Sequence, residues 1–172
     1  MMRRARVLMV LVLLGSLAGG GISAQQTSGS QGAALTAQDY TDIGQLYVRI
    51  NHGGDFRDAD LWLSAFADDA VFAIAMGPGQ EFVGKEALAE WRHQSFRGQV
   101  GDSKVRHWDG PVRLTPTGTG TAEARSYFLV YDVSGAQPVI TSSGYHDDVF
   151  VKTADGWRVK HRKVSFDAAP AR

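Results

Sequence analysis

Cysteine is absent from this 172-residue chain. Its absence excludes disulfide staples, thiolate nucleophiles and thiolate-bound metals. It also removes the residue that would carry a lipid anchor at a bacterial lipoprotein cleavage site. An excess of charge of either sign is lacking too, because eighteen Lys and Arg are matched by eighteen Asp and Glu. The basic residues are scattered along the chain, which leaves no electrostatic case for nucleic acid or an anionic membrane as partner. The histidines show neither HxH nor HxxxH spacing, so no metal is expected. No glycine-rich phosphate loop follows a strand signal, and Gly118 and Gly120 read as a hairpin turn.

What is present is enough apolar material, 44% of residues, for one domain with its own core. The first 24 residues are a segment apart. Arg3, Arg4 and Arg6 precede an apolar stretch from Val7 to Leu17, and Ser23-Ala24 supplies small residues before Gln25. This is the pattern of a secretory signal, with cleavage expected after Ala24 or, as second choice, after Ala18. The chain is therefore expected to be periplasmic or secreted, with no membrane contact after cleavage. A Ser/Gly/Gln/Ala-rich tether over residues 25–35 is expected to be disordered. The folded domain is expected over 36–167, with a tail at 168–172.

Thr36-Ala37-Gln38-Asp39 reads as a capping box with Asp at its fourth position. Tyr40, Ile43, Tyr47 and Ile50 then recur at helical spacing, with Leu46 widening the stripe, until Asn51-His52-Gly53-Gly54 ends the helix. Asp55 is placed to cap a second helix burying Leu61, Trp62, Ala65 and Phe66. A short strand from Ala70 to Ile74 and a brief one at Glu81 to Val83 flank the Gly77-Pro78-Gly79 turn. A third helix is expected from Lys85 to about Phe96. Four strands follow, Val105–Leu114, Ala122–Val133, Val139–Val151 and Trp157–Phe166. Helices grouped ahead of an antiparallel meander predict an α+β domain, a strongly curved sheet wrapped over three helices and enclosing one conical cavity.

The strand "GYHDDVFV", residues 144–151, carries an unusual polar load. Gly144, His146, Asp148 and Phe150 share one face, and Tyr145, Asp147, Val149 and Val151 the other. Both faces carry apolar residues, so alternation alone leaves either His146 with Asp148, or Asp147, lining the cavity. His107, in "VRHWD", shares a face with Val105 and Asp109; an imidazole titrating near neutrality suits proton transfer. The bland alternative is a hydrogen-bonded strand histidine. Tyr47, Tyr127 and Tyr131 fit core positions with one hydrogen bond each, or a cavity phenol that polarises a carbonyl. Trp62, Trp91 and Phe66 read as core or cavity wall. His161 alternates with Trp157 and Val159 and is expected inside as a structural histidine. Asp55, Asp68 and Asp69 read as capping and loop carboxylates.

Three stretches together resemble the SnoaL-like branch of the nuclear transport factor 2-like superfamily: "YVRINHGGDFRDADLWLSAFADDAVF" (47–72), "KVRHWDGPVRL" (104–114) and "GYHDDVFVKTADGWRVKHRKVSFD" (144–167). The resemblance spans about Thr36 to Asp167. It implies a helix-covered cone-shaped sheet, and it implies pairing of a cavity His with an Asp at the end of the first helix. His107 matches that His, whereas the Asp position falls at or near Asn51. The family's hairpin Tyr is replaced by His146 while its Asp survives as Asp148, which favours His146 and Asp148 facing inward.

The expected function is binding of a small, largely apolar organic molecule, with cofactor-free dehydration, isomerisation or cyclisation of a carbonyl compound as its chemistry. His107 is expected to shuttle the proton, with Asp148 and His146 as partners. Tyr47, Tyr127, Trp62 and Asp147 are expected to contact the substrate. A non-catalytic binding module is the alternative, and a homodimer through the outer face of the sheet is the expected assembly.

Overall fold

The computed structural model describes residues 34–99 and 103–168. The expected signal segment and nearly all of the tether lie outside them, as does most of the tail. Three helices, α1 (Ala37–Asp55), α2 (Ala59–Leu63) and α3 (Lys85–Phe96), are followed or interleaved by seven strands. These are β1 (Phe66–Ala75), β2 (Gln80–Val83), β3 (Val105–Asp109), β4 (Arg113–Gly118), β5 (Thr121–Asp132), β6 (Val139–Thr153) and β7 (Gly156–Phe166).

The capping box forms: Thr36 Oγ1 accepts from the Asp39 amide, and Asp39 accepts from the Thr36 amide. Asp39 also accepts from Lys152 Nζ and Trp157 Nε1, both at 2.7 Å, which ties the start of α1 to the closing hairpin. Ile43, Leu46, Tyr47 and Ile50 are buried as expected, but Tyr40 is half exposed. Gly53-Gly54 does not stop α1, which runs on to Asp55. Gly53 is needed because α2 lies against it: an added Cβ would sit 2.5 Å from Trp62 N. Asp58, not Asp55, caps α2, accepting from the Leu61 amide at 2.9 Å.

The strand order is β2-β1-β7-β6-β5-β3, with β4 also on β5. The expected meander of β5, β6 and β7 is antiparallel throughout, whereas β1 pairs with β7 in parallel, so the curved, unclosed sheet is mixed. Only a tight hairpin obliges antiparallel pairing, and β1 reaches β7 through the rest of the domain. The single strand expected over Val105–Leu114 is two, both pairing with β5. The break falls at Gly110-Pro111, where proline has no N–H for the ladder.

On β6 the inward residues are Gly144, His146, Asp148 and Phe150. On β7 the alternation changes phase. Val149 pairs with His161 but Phe150 with Val159, leaving Lys160 as an extra, bulged residue. Trp157 and Val159 point inward before the bulge; Arg162 and Val164 do so after it, and His161 is displaced from the buried set.

Candidate active site

A cavity of about 220 Å³ lies between the helices and the sheet. Ile50, Asn51 and Gly54 come to it from α1, Trp62 from α2, and Trp91 and Arg92 from α3. The sheet contributes His107, Phe128, His146 and Arg162, with further apolar side chains from β1, β5 and β7. One wall is aromatic: Trp62, Phe72 and Trp91 line it, and with Phe66 and Phe82 behind them they form a chain of ring contacts with centroids 4.3–6.1 Å apart.

His107 is held by Asp55. Nδ1 lies 2.6 Å from Asp55 Oδ1, and the His107 backbone amide donates to Asp55 Oδ2 at 3.0 Å. A carboxylate only accepts, so Nδ1 carries the proton and Nε2 presents its lone pair. The Asp55 side chain is 4% exposed and that of His107 40%, so the orienting acid is buried while the imidazole remains reachable.

A second histidine–carboxylate pair lies beside the first. His146 Nε2 is 3.3 Å from Asp109 Oδ1, and Asn51 Nδ2 donates to Asp109 Oδ2 at 2.8 Å. Burial, aided by the Arg162 cation, holds His146 below its ordinary pKa, so the imidazole is neutral. Burial works against the Asp109 charge, but the contacts from His146, Arg162 and Asn51 prevail and hold it below the usual carboxylate range. Asp109 Oδ1 and His146 Nδ1 are both buried without a hydrogen-bond partner; in the tautomer that turns Nε2–H towards Asp109, Nδ1 is the acceptor. The ring is fixed by stacking on Phe128, at 4.7 Å and 20°.

Asp148 is occupied otherwise than the sequence suggests. Arg162 donates to both of its oxygens, Nε to Oδ1 and Nη2 to Oδ2, each at 2.8 Å, and the Tyr47 hydroxyl donates to Oδ2 at 2.6 Å. Burial and the Asp148 charge raise the Tyr47 pKa, so the phenol stays protonated. This bidentate, buried arrangement commits both Asp148 oxygens to Arg162 and the Tyr47 proton to Asp148. Asp148 is not a partner of His107, and the Tyr47 hydroxyl is not free to polarise a carbonyl.

Of the other expected contacts, Trp62 and His146 line the cavity. Tyr127 does not, standing 69% exposed on the outer face. Asp147 also faces outward, paired with Arg125 at 2.7 Å. Asp55 was hidden by the reading of Gly53-Gly54 as a stop. Once α1 continues, Tyr47, Asn51 and Asp55 fall at i, i+4 and i+8 on one helix face. Arg162 was hidden by the bulge. Among the described residues no group of three or more His, Asp and Glu gathers as a metal site.

The SnoaL-like domain model matches residues 35–163. The chain belongs to the SnoaL-like family. No match was found among curated proteins. Among solved structures, a protein of unknown function with a cystatin-like fold from Nostoc punctiforme is 22% identical, with a TM-score of 0.67 over 79% of this chain and 96% of that one. ActVI-ORFA from Streptomyces coelicolor is 22% identical, at 0.63 over 74% and 96%. LinA is 18% identical, at 0.64 over 78% and 90%. At these identities the likeness is one of fold.

Proposed function

We propose that this protein binds a small, largely apolar organic carbonyl compound in the cavity and acts on it by cofactor-free acid–base chemistry, as a lyase, isomerase or cyclase. The observation that carries this reading is the His107–Asp55 pair, whose Nε2 is a general base at an apolar cavity. Asp55 fixes the tautomer and stabilises the imidazolium that forms when Nε2 takes a proton from carbon. His146 Nδ1 supplies an acceptor for a substrate hydroxyl.

The test is deuterium exchange at the acidic CH₂ of 2-tetralone in D₂O, followed by NMR. Wild type is expected to accelerate exchange. His107→Gln and Asp55→Asn are each expected to reduce the enzymatic rate by about 10²–10⁴-fold while the fold is retained. Binding of the ketone without accelerated exchange makes the domain a binding module and overturns the catalytic reading.

Two further parts belong to this proposal. The chain is exported and matured near Gln25, on the strength of the residue pattern before it; intact mass of the exported protein reads this directly, and retention of Met1 to Ala24 overturns it. The domain also pairs with a second copy through the outer face of the sheet, where Trp108 and Tyr127 are exposed.

A further inference from the structure

The charged groups around the cavity are not all paired with a full counter-charge. Arg162 is neutralised by its bidentate contact with Asp148, whereas Asp55 and Asp109 are each turned to a histidine. Arg92 has no such counterpart. Among the described residues no carboxylate lies within ion-pair distance of it, and its Nε is buried without a hydrogen-bond partner.

Aromatic rings hold it instead. The guanidinium carbon lies 4.1 Å from the Trp62 ring centroid, 4.5 Å from that of Trp91 and 5.2 Å from that of Phe96. Burial lowers its pKa to about 10, which still leaves it charged at neutral pH. Ring faces attract a cation and fix its orientation, but they carry no net charge and accept no strong N–H hydrogen bond. A half-sequestered guanidinium with no carboxylate beside it and an unbonded Nε–H is therefore prepared for an anion.

We propose that Arg92 is a carboxylate-recognising residue, and that the cavity takes an organic acid with an apolar, preferentially planar body. The carboxylate meets the guanidinium, and the body lies against Trp62, Trp91 and Phe72. This rests on the cavity being the ligand site, and it narrows the substrate to a carbonyl or hydroxyl compound that also carries a carboxylate.

The experiment compares trans-cinnamate with cinnamamide, which has nearly the same shape and no charge, by calorimetric titration at neutral pH. Wild type is expected to bind the acid at least about tenfold more tightly, the scale of one charge-assisted pair in a partly desolvated site. In Arg92→Met the preference is expected to vanish. Equal affinities in wild type, failure of cinnamate to bind at millimolar concentration, or an undiminished preference in folded Arg92→Met each overturn the proposal.

A second measurement stands independently of how that variant folds. The Arg92 Nε–H resonance of wild type, assigned by its disappearance in Arg92→Lys, is expected to shift with cinnamate and not with cinnamamide. An unmoved resonance at saturating cinnamate overturns the proposal. His107→Gln separates the two readings: it should abolish ketone exchange and keep the preference for the acid. A preference for the acid without any ketone exchange in wild type leaves the Arg92 site standing and removes the catalytic reading.

Discussion

At the scale of single residues, one ion pair serves stability and two histidine–carboxylate pairs carry the proposed chemistry. Asp148 and Arg162 are 2% and 1% exposed, so their charges are compensated by each other and by the Tyr47 hydroxyl. Asp148→Asn keeps the shape but leaves the Arg162 cation buried without its counter-charge. Urea denaturation is expected to show a loss of about 3–5 kcal/mol, a large share of a small domain's stability. Replacing both together, Asp148→Leu with Arg162→Met, is expected to recover most of that loss, since neither desolvated charge then remains. If Asp148→Asn is as stable as wild type, the pair is not structural.

His146 gives a pH signature whose sign follows from its depressed pKa. In the unfolded chain its imidazole takes up a proton as pH falls through about 6.5. In the folded protein burial keeps it neutral to lower pH. The unfolded state thus binds more protons over the window from about 6.5 down to the folded value, and stability falls as the solution is acidified through that window. His146→Gln is expected to flatten the difference in unfolding free energy between pH 7 and pH 5. An identical slope in wild type and variant would show that the imidazole is protonated in the folded state.

At the scale of elements, two glycines of α1 make opposite predictions. Gly53 meets Trp62 backbone, where a Cβ would come within 2.8 Å of Trp62 Cα as well as its N. The clash outweighs the gain in helix propensity, so Gly53→Ala is expected to cost about 1–3 kcal/mol. Gly44 has nothing within 4 Å of the same position, so Gly44→Ala is expected to stabilise by about 0.5–1 kcal/mol. Thermal melts of the two variants should move in opposite directions, and a parallel shift refutes the packing account.

Gly53 also marks where the sequence was and was not legible. The capping box, α3 and the closing hairpin could be read from local chemistry; alternation left both faces of β6 open, and it was the resemblance to the family that favoured the inward His146 and Asp148 the structure has. Asp55 could not be read, because a Gly-Gly pair signals a helix end unless a neighbouring element is known to press against it. The same limit hid Arg162. Strict alternation from Trp157 and Val159 leads to His161, and one bulged residue, fixed by pairing with β6, moves the inward position to Arg162. Local pattern located the elements and their faces; non-local packing chose the carboxylate for His107 and the counter-charge for Asp148.

At the scale of the whole molecule, the sheet has one covered face and one bare face. The helices and cavity occupy the concave side. On the outer side Trp108, on the edge strand β3, is 66% exposed, and Tyr127 on β5 is 69% exposed, opposite Tyr145 on β6. Arg125 lies 4.8 Å over the Tyr145 ring and pairs with Asp147, giving this apolar surface a charged margin. Aromatic residues surrounded by polar groups are the composition of an interface core and rim. In the proposed dimer a second copy of the same face would cover it by two-fold symmetry, and a stable pairing needs about 800 Å² from each partner. Sedimentation at tens of micromolar is expected to give a dimer for wild type and a monomer for Trp108→Lys with Tyr127→Lys. The double variant should keep its thermal stability per protomer and its cinnamate affinity, because the cavity opens on the other face of the sheet. A monomeric wild type, or a dimer that survives both lysines, excludes this face as the interface.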